Sequence, residues 1–343
     1  MSRHAKAYCL RFDQWRKTGM HRLVTPLLIS LTCATGLAHA QSPAAEWPVK
    51  PVRMMLGPAP GSVADSLTRV MAHALSEIWK QQVIVENRPG AGNTIAPAIV
   101  AKSAPDGYTL HRCGVGDAIS PALYKSLSYT HLKDFAILAR IGHTPNILVV
   151  HPSLPVKNLQ EFIALARTQP GKLDYGATGV GSSPQLSMEL LKAMTKINVV
   201  HVPYKAAAMA QTDLLAGRIS SQMSNLPNHI DTVRQKKVRA LGVTSGKRNS
   251  RLPEVPTIAE QGVPGYDVSS WYGICAPVGV DKAIQAKIEV DSLKVLAMPD
   301  IRSRLTELGV EVEPMNASEF LAFFRSETTK WIAAAKAAGI QPQ

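Results

Sequence analysis

Residues 175–190, YGATGVGSSPQLSMEL, read as the end of a strand, a loop with glycines at 176, 179 and 181, and the opening of a helix. Glycine lets the backbone take positive φ and come close to a ligand. Ser183 suits an N-cap and Pro184 the first helical position, where no N–H is required. Such a unit turns unpaired N–H groups and the positive end of a helix dipole toward one point, where a carboxylate would be at home. The glycine spacing is neither GxGxxG nor GxSxG, which argues against a dinucleotide loop and a nucleophile elbow. A tight strand-to-helix turn with no ligand is the plain alternative.

Working outward, the same grammar recurs on both sides. Residues 51–56 read as a strand, followed by a loop with Gly57 and Gly61. Next comes a helix over 65–79, whose Leu67, Val70, Met71, Leu75 and Ile78 fall on one face. A strand at 83–85, the loop ENRPGAGN (86–93), a helical stretch to 103 and a strand at 108–112 complete a parallel βαβαβ unit. Ligands of such sheets sit off the carboxyl ends of the strands, so the loops starting at Gly57 and Arg112 are candidates. A second unit spans about 146–268, with strands at 146–150, 173–175, 199–203, 219–223 and 239–244. Its first helix is capped by Asn158, with Glu161 three residues on. Residues 268–277 are extended again, and helices follow at 282–296, 301–308 and 318–338. Phe320, Phe323, Phe324 and Trp331 form an aromatic stripe in the last helix, read as core.

The first 40 residues differ in kind. Arg16, Lys17 and Arg22 precede an apolar run over 23–37 that ends in AHA, a signal peptide cleaved before Gln41. The run is short for a membrane span, Met20 is an alternative start, and Cys33 lacks a lipobox. The formal charge of +13 includes this leader; without it 32 Lys/Arg face 24 Asp/Glu, about +8, a mild bias toward anions. The densest basic run, RQKKVR (234–239), reads as a solvated helix end entering a strand, and export makes nucleic acid an unsuitable partner. Cys113 and Cys275 remain after the leader; export permits a disulfide, but their separation favours two unpaired, buried thiols. No CxxC, HExxH or clustered His/Asp set appears, so neither a metal nor a cofactor has sequence support. His151 and His201 follow paired valines at strand ends and read as structural.

Residues 83–110 (VIVENRPGAGNTIAPAIVAKSAPDGYTL), 175–191 (YGATGVGSSPQLSMELL) and 197–220 (INVVHVPYKAAAMAQTDLLAGRIS) together resemble the Bug family of extracytoplasmic solute receptors, which serve tripartite tricarboxylate transporters. VVHPSLPVKNLQEF, VRALGVTSGKR and LPEVPTIAEQGVPGY are similar to the same family in the same order, so the resemblance spans about 47–339. It implies a type II periplasmic-binding-protein fold, two α/β lobes joined by a two-strand hinge near 144–150 and 269–277. Lobe 1 would comprise 41–145 plus 270–343, and lobe 2 residues 146–269. It further implies a monomeric, non-enzymatic periplasmic receptor that closes on a small organic carboxylate and delivers it to membrane permease subunits.

Carried over by position, the ligand residues implied are Gly61, Ser62, Asp65, Gly114 and Gly116 from lobe 1, and Thr178, Gly179, Gly181, Ser182, Ser183, Tyr204 and Asn225 from lobe 2. The chain departs from the family where PPGGGTD becomes APGSVAD (59–65), where Ala206 follows VPYK, and where Ser220 and Ser224 replace two aspartates. These changes imply a shifted ligand preference, with Arg112 as an added charge partner; a receptor that has lost binding is the alternative. A receptor presenting its ligand to a membrane kinase, and an exported enzyme, are the other two readings.

Overall fold

The computed structural model describes residues 46–179, 181–337 and 342. The leader, its cleavage site, Met20 and Cys33 lie outside them. Strands β1 (Val52–Leu56), β2 (Val83–Asn87) and β3 (Thr109–Gly114) pair in parallel, with β1 in the middle. Helices α1 (Val63–Trp79) and α2 (Ile95–Ala101) are their crossovers. Leu67, Val70, Met71 and Leu75 of α1 are buried as the spacing requires, each side chain worth about 1.5–3 kcal/mol. After β3 come α3 (Val115–Leu123) and α4 (His131–Asp134).

Beyond them runs β4 (Phe135–Val150), a 16-residue strand of which only the last five residues look like a strand in sequence. Arg140, Gly142, His143 and Pro145 interrupt its apolar pattern. It stays extended because it pairs with β9 (Ser269–Pro277) from Phe135↔Pro277 to Pro145↔Ser269. Arg140 and His143 meet Glu313 and Glu311 on the segment just beyond. Past Pro145, β4 leaves this sheet and pairs with the second one, Asn146 opposite Asn225. β4 and β9 are therefore the two crossing strands.

The second sheet holds β5 (Asp174–Thr178), β6 (Val200–Tyr204), β7 (Ser221–Asn225) and β8 (Arg239–Val243), ordered β4-β7-β5-β6 with β8 also on β4. Its helices are α5 (Leu159–Thr168), α6 (Ser183–Thr195), α7 (Ala207–Leu215) and the short α8 (Ile230–Arg234). The Asn158 cap is present, its side chain accepting from the Glu161 N–H at 2.8 Å. In the basic run after α8, Arg239 is partly structural, donating to the Val156 carbonyl at 2.6 Å.

Helices α9 (Lys282–Ala297), α10 (Pro299–Glu307) and α11 (Ala317–Ala337) return to the first sheet. The aromatic stripe of α11 packs as expected: Phe320, Phe323 and Phe324 surround Trp271, with ring centroids 5.2–5.6 Å away. One apolar core runs from Val115 and Ile119 of the first half to Leu148, Tyr175 and Leu186 of the second, so the two halves are closed on each other.

The cysteines correct the sequence reading. Cys113 and Cys275 form a disulfide with Cα atoms 6.1 Å apart, across 162 residues of chain. The pairing was hidden because β9 returns from the second half to lie antiparallel to β3, with His111 opposite Cys275 and Cys113 opposite Gly273.

Candidate functional site

The lobe-2 loop between β5 and α6 has the expected form with one shift. Ser182, not Ser183, is the N-cap: it is extended (φ −76°, ψ 150°), and its Oγ accepts from the Gln185 N–H at 3.4 Å. Pro184 still falls in the first turn, where it removes no hydrogen bond. Gly181 takes φ +82°, and Gly179 faces open space. Ser182 Oγ donates to the Thr178 carbonyl at 2.9 Å, and the Gly181 N–H meets Gln185 Oε1 at 3.2 Å. A neutral amide thus closes the loop, and the first turn of α6 carries no acid.

Two lobe-1 loops and the first turn of α3 converge on the same place. A methyl group on Gly116 would stand 3.4 Å from the Gly181 carbonyl oxygen, and one on Gly181 would stand 3.2 Å from that of Gly92. Gly57 in turn abuts Asn93. Ala91, Gly92 and Asn93 all have positive φ (44°, 61° and 69°), a run of left-handed backbone that is costly for the two non-glycines and is found where a site constrains the chain. Backbone therefore meets backbone across the cleft, and added side chains would hold the lobes apart.

The remaining predicted residues divide into two groups. Ser183 and Asn225 come together at the hinge through Asn146, which sequence reasoning missed. Asn146 Nδ2 donates to Ser183 Oγ (2.7 Å) and Ser187 Oγ (2.8 Å), while Asn225 Nδ2 donates to Asn146 Oδ1 (2.8 Å) and Ser270 Oγ (2.9 Å). No local signal marked Asn146, because its partners lie on other strands and helices. Asp65 and Tyr204 are instead engaged inside their own lobes. Asp65 accepts from the Gly61 N–H (2.9 Å), Asn87 (3.0 Å) and Arg69. Burial pushes its carboxyl up, but Arg69, Gly61 and Asn87 outweigh that and hold it below the usual carboxylate range. Ser62 caps α1 beside it, and Gly61 (φ +77°) faces open space. Tyr204 donates to Asp213 at 2.8 Å. Ser220, one of the substituted positions, is committed to Asp174 of β5.

Arg112 is the most unusual group here. It is 5% exposed, at the end of β3. Its guanidinium lies against Gly114, where an added methyl would stand 2.5 Å from Nη1, and 5.8 Å from the centre of the Tyr272 ring. Nη1 donates to the Cys113 carbonyl at 3.2 Å, and Nε has no hydrogen-bond partner among the described residues. Burial lowers its pKa from the ordinary arginine value, with Asp117 and Tyr272 only partly opposing this. A buried cation so placed needs an anion.

One cluster of potential metal ligands has no counterpart among the sequence motifs. His111, Asp117 and His131 converge on one another although their spacing matches no motif. They do so because α3 and α4 fold back over β3.

Residues 67–340 match the family model described as "Tripartite tricarboxylate transporter family receptor". The chain belongs to that family. BugT of Bordetella pertussis is 32% identical over 293 residues, covering 80% of this chain and 90% of that protein. Among solved structures, Rpa4515 of R. palustris with adipate is 34% identical with a TM-score of 0.79, covering 87% of this chain and 100% of its own. MatC (Rpa3494) from Rhodopseudomonas palustris with bound malate is 29% identical with a TM-score of 0.76, covering 84% and 100%. The resemblance to Bug receptors and the two-lobed binding-protein fold are thereby borne out.

Proposed function

We propose that the chain is a periplasmic receptor of the tripartite tricarboxylate transporter family. It captures a small organic carboxylate between its lobes and delivers it to the membrane permease subunits. One observation carries the reading: Gly116 in the first turn of α3 meets the Gly181 loop ahead of α6 across the cleft, with the guanidinium of Arg112, whose Nε has no partner among the described residues, against Gly114. N–H groups at a helix end hold one carboxylate and Arg112 a second, so a dicarboxylate fits best. The adipate and malate bound by the two relatives have that chemistry. A ligand touching both lobes favours the closed form by its differential contacts alone.

In this reading residues 41–145 with 270–343 form lobe 1 and 146–269 lobe 2. Residues 1–40 are removed on export, and the receptor works as a monomer without catalysis. The test is thermal unfolding of the exported, ligand-stripped protein against a panel of carboxylates. A dicarboxylate at one hundred times its Kd is expected to add about 2.7 kcal/mol to the folded state. A cooperative protein that shifts with no member of the panel would overturn the proposal.

A further inference from the structure

His111 on β3, Asp117 in the first turn of α3 and His131 at the start of α4 each place a ligand atom within 4.8 Å of the other two. Nε2 of His111 stands 3.0 Å from Asp117 Oδ2, and Nε2 of His131 stands 3.0 Å from Oδ1. Both rings are closed to water, at 2% and 3% exposure.

The protons do not fit a simple hydrogen-bonded triad. Nδ1 of His111 lies 3.3 Å from the Met55 carbonyl oxygen, which only accepts, so the ring proton of a neutral His111 belongs on Nδ1. Its Nε2 then points a lone pair at a carboxylate oxygen, a repulsive contact unless a cation lies between them. An imidazolium is the alternative to a metal ion there. Despite the 3.0 Å approach of His131 to Asp117, neither of its nitrogens has an aligned hydrogen bond among the described residues. Buried polar groups are nearly always satisfied, and orphans of this kind mark a missing partner.

A ring nitrogen bonded to a backbone carbonyl, with the other free to coordinate, is how metal-ligating histidines are oriented. We propose that Nε2 of His111, Nε2 of His131 and the Asp117 carboxylate bind one divalent transition-metal ion of the zinc type. Two imidazoles and a carboxylate, with its second oxygen as a fourth donor, suit zinc; calcium and magnesium call for more oxygens than this pocket offers. The Gly114 N–H, 2.7 Å from Oδ2, orients the carboxylate. Because Gly114 is also the N-cap of α3, the ion braces the lobe-1 ligand loop from below. The proposal stands apart from the ligand reading and holds whatever the cleft binds.

The test uses the exported protein without a polyhistidine tag, cleared of loose metal with a chelator and offered zinc or cobalt(II). Wild type is expected to hold one ion per chain and, with cobalt, to show the visible bands of a low-coordinate nitrogen and oxygen site. His131→Gln and Asp117→Asn should weaken binding by about 100-fold or more. His73→Ala, on the exposed face of α1, should leave it unchanged. A wild type that takes up neither ion overturns the proposal and leaves an imidazolium–carboxylate cluster. Undiminished binding in both ligand variants overturns it too, since the ion would then lie elsewhere. The wild-type stoichiometry decides even where a variant fails to fold.

Discussion

The helix ends that face the cleft differ between the lobes. In lobe 1, α1 and α3 each begin with an internal carboxylate: Asp65 closes the loop of Gly61, and Asp117 accepts from the Gly114 N–H. Their positive ends are largely spent on the protein's own acids. In lobe 2, α6 begins with Ser182 and Gln185, which are neutral, so its dipole remains available to a ligand. Lobe 1 contributes instead a whole charge, Arg112, buried and without a salt-bridge partner among the described residues. Under the proposed function one side of the cleft would hold an anion with oriented dipoles and the other with a cation, an arrangement that suits a ligand with a carboxylate at each end.

The most damaging way to break the comparison is to release the strand that carries Arg112. Reducing the Cys113–Cys275 bond, or replacing both cysteines by serine, is expected to cost about 2–5 kcal/mol in chemical denaturation, because β3 and β9 lose their covalent tie. An unchanged midpoint would show that the bond contributes nothing to holding lobe 1. Next comes Arg112→Met, which should weaken dicarboxylate binding by about 2–3 kcal/mol, on the order of 100-fold. The same change should leave the unliganded protein as stable or more so, since a buried charge without a salt-bridge partner among the described residues is gone. Calorimetry with melting curves separates the two effects; losing both together would mean that Arg112 is merely structural.

A smaller effect is expected on the lobe-2 side. Gly181→Val puts a branched residue at φ +82° and against Gly92, at a cost of about 1–2 kcal/mol, and should lower affinity about tenfold by keeping the lobes apart. Gly179→Ala, in open space, is the control that should change little. Smallest is the internal carboxylate of α1. Asp65→Asn should cost about 1 kcal/mol near neutral pH. Because the folded pKa of Asp65 lies below its usual 3.8, its contribution is full above that value and is lost as pH falls through the folded pKa. The acid limb of the wild-type stability curve should therefore flatten in the variant, and identical limbs would remove Asp65 from this role.

Much of the fold was legible in sequence because its signals are local. The α1 stripe, the Asn158 cap and the strand-to-helix loop at 175–190 each read correctly, the last within one residue of its cap. What escaped depends on the crossing of β4 and β9. The first eleven residues of β4 look broken by Arg140, Gly142, His143 and Pro145, yet β9 holds them extended. The same return of β9 joins Cys113 to Cys275, and the pairing of β4 with β7 places Asn146 beside Asn225. His111, Asp117 and His131 meet only because two helices fold back over one strand. Glycines and hydroxyls at loop ends announced the candidate lobe-2 loop, whereas the burial of Arg112 shows only in three dimensions.

The most direct test is a crystal structure of the protein with the dicarboxylate that raises its unfolding temperature most. One carboxylate is expected at the Gly179–Ser183 loop, on the N–H groups ahead of α6, and the other on the Arg112 guanidinium beneath Gly114. A ligand held by one lobe alone, or lying in the cleft with Arg112 untouched, would contradict the account.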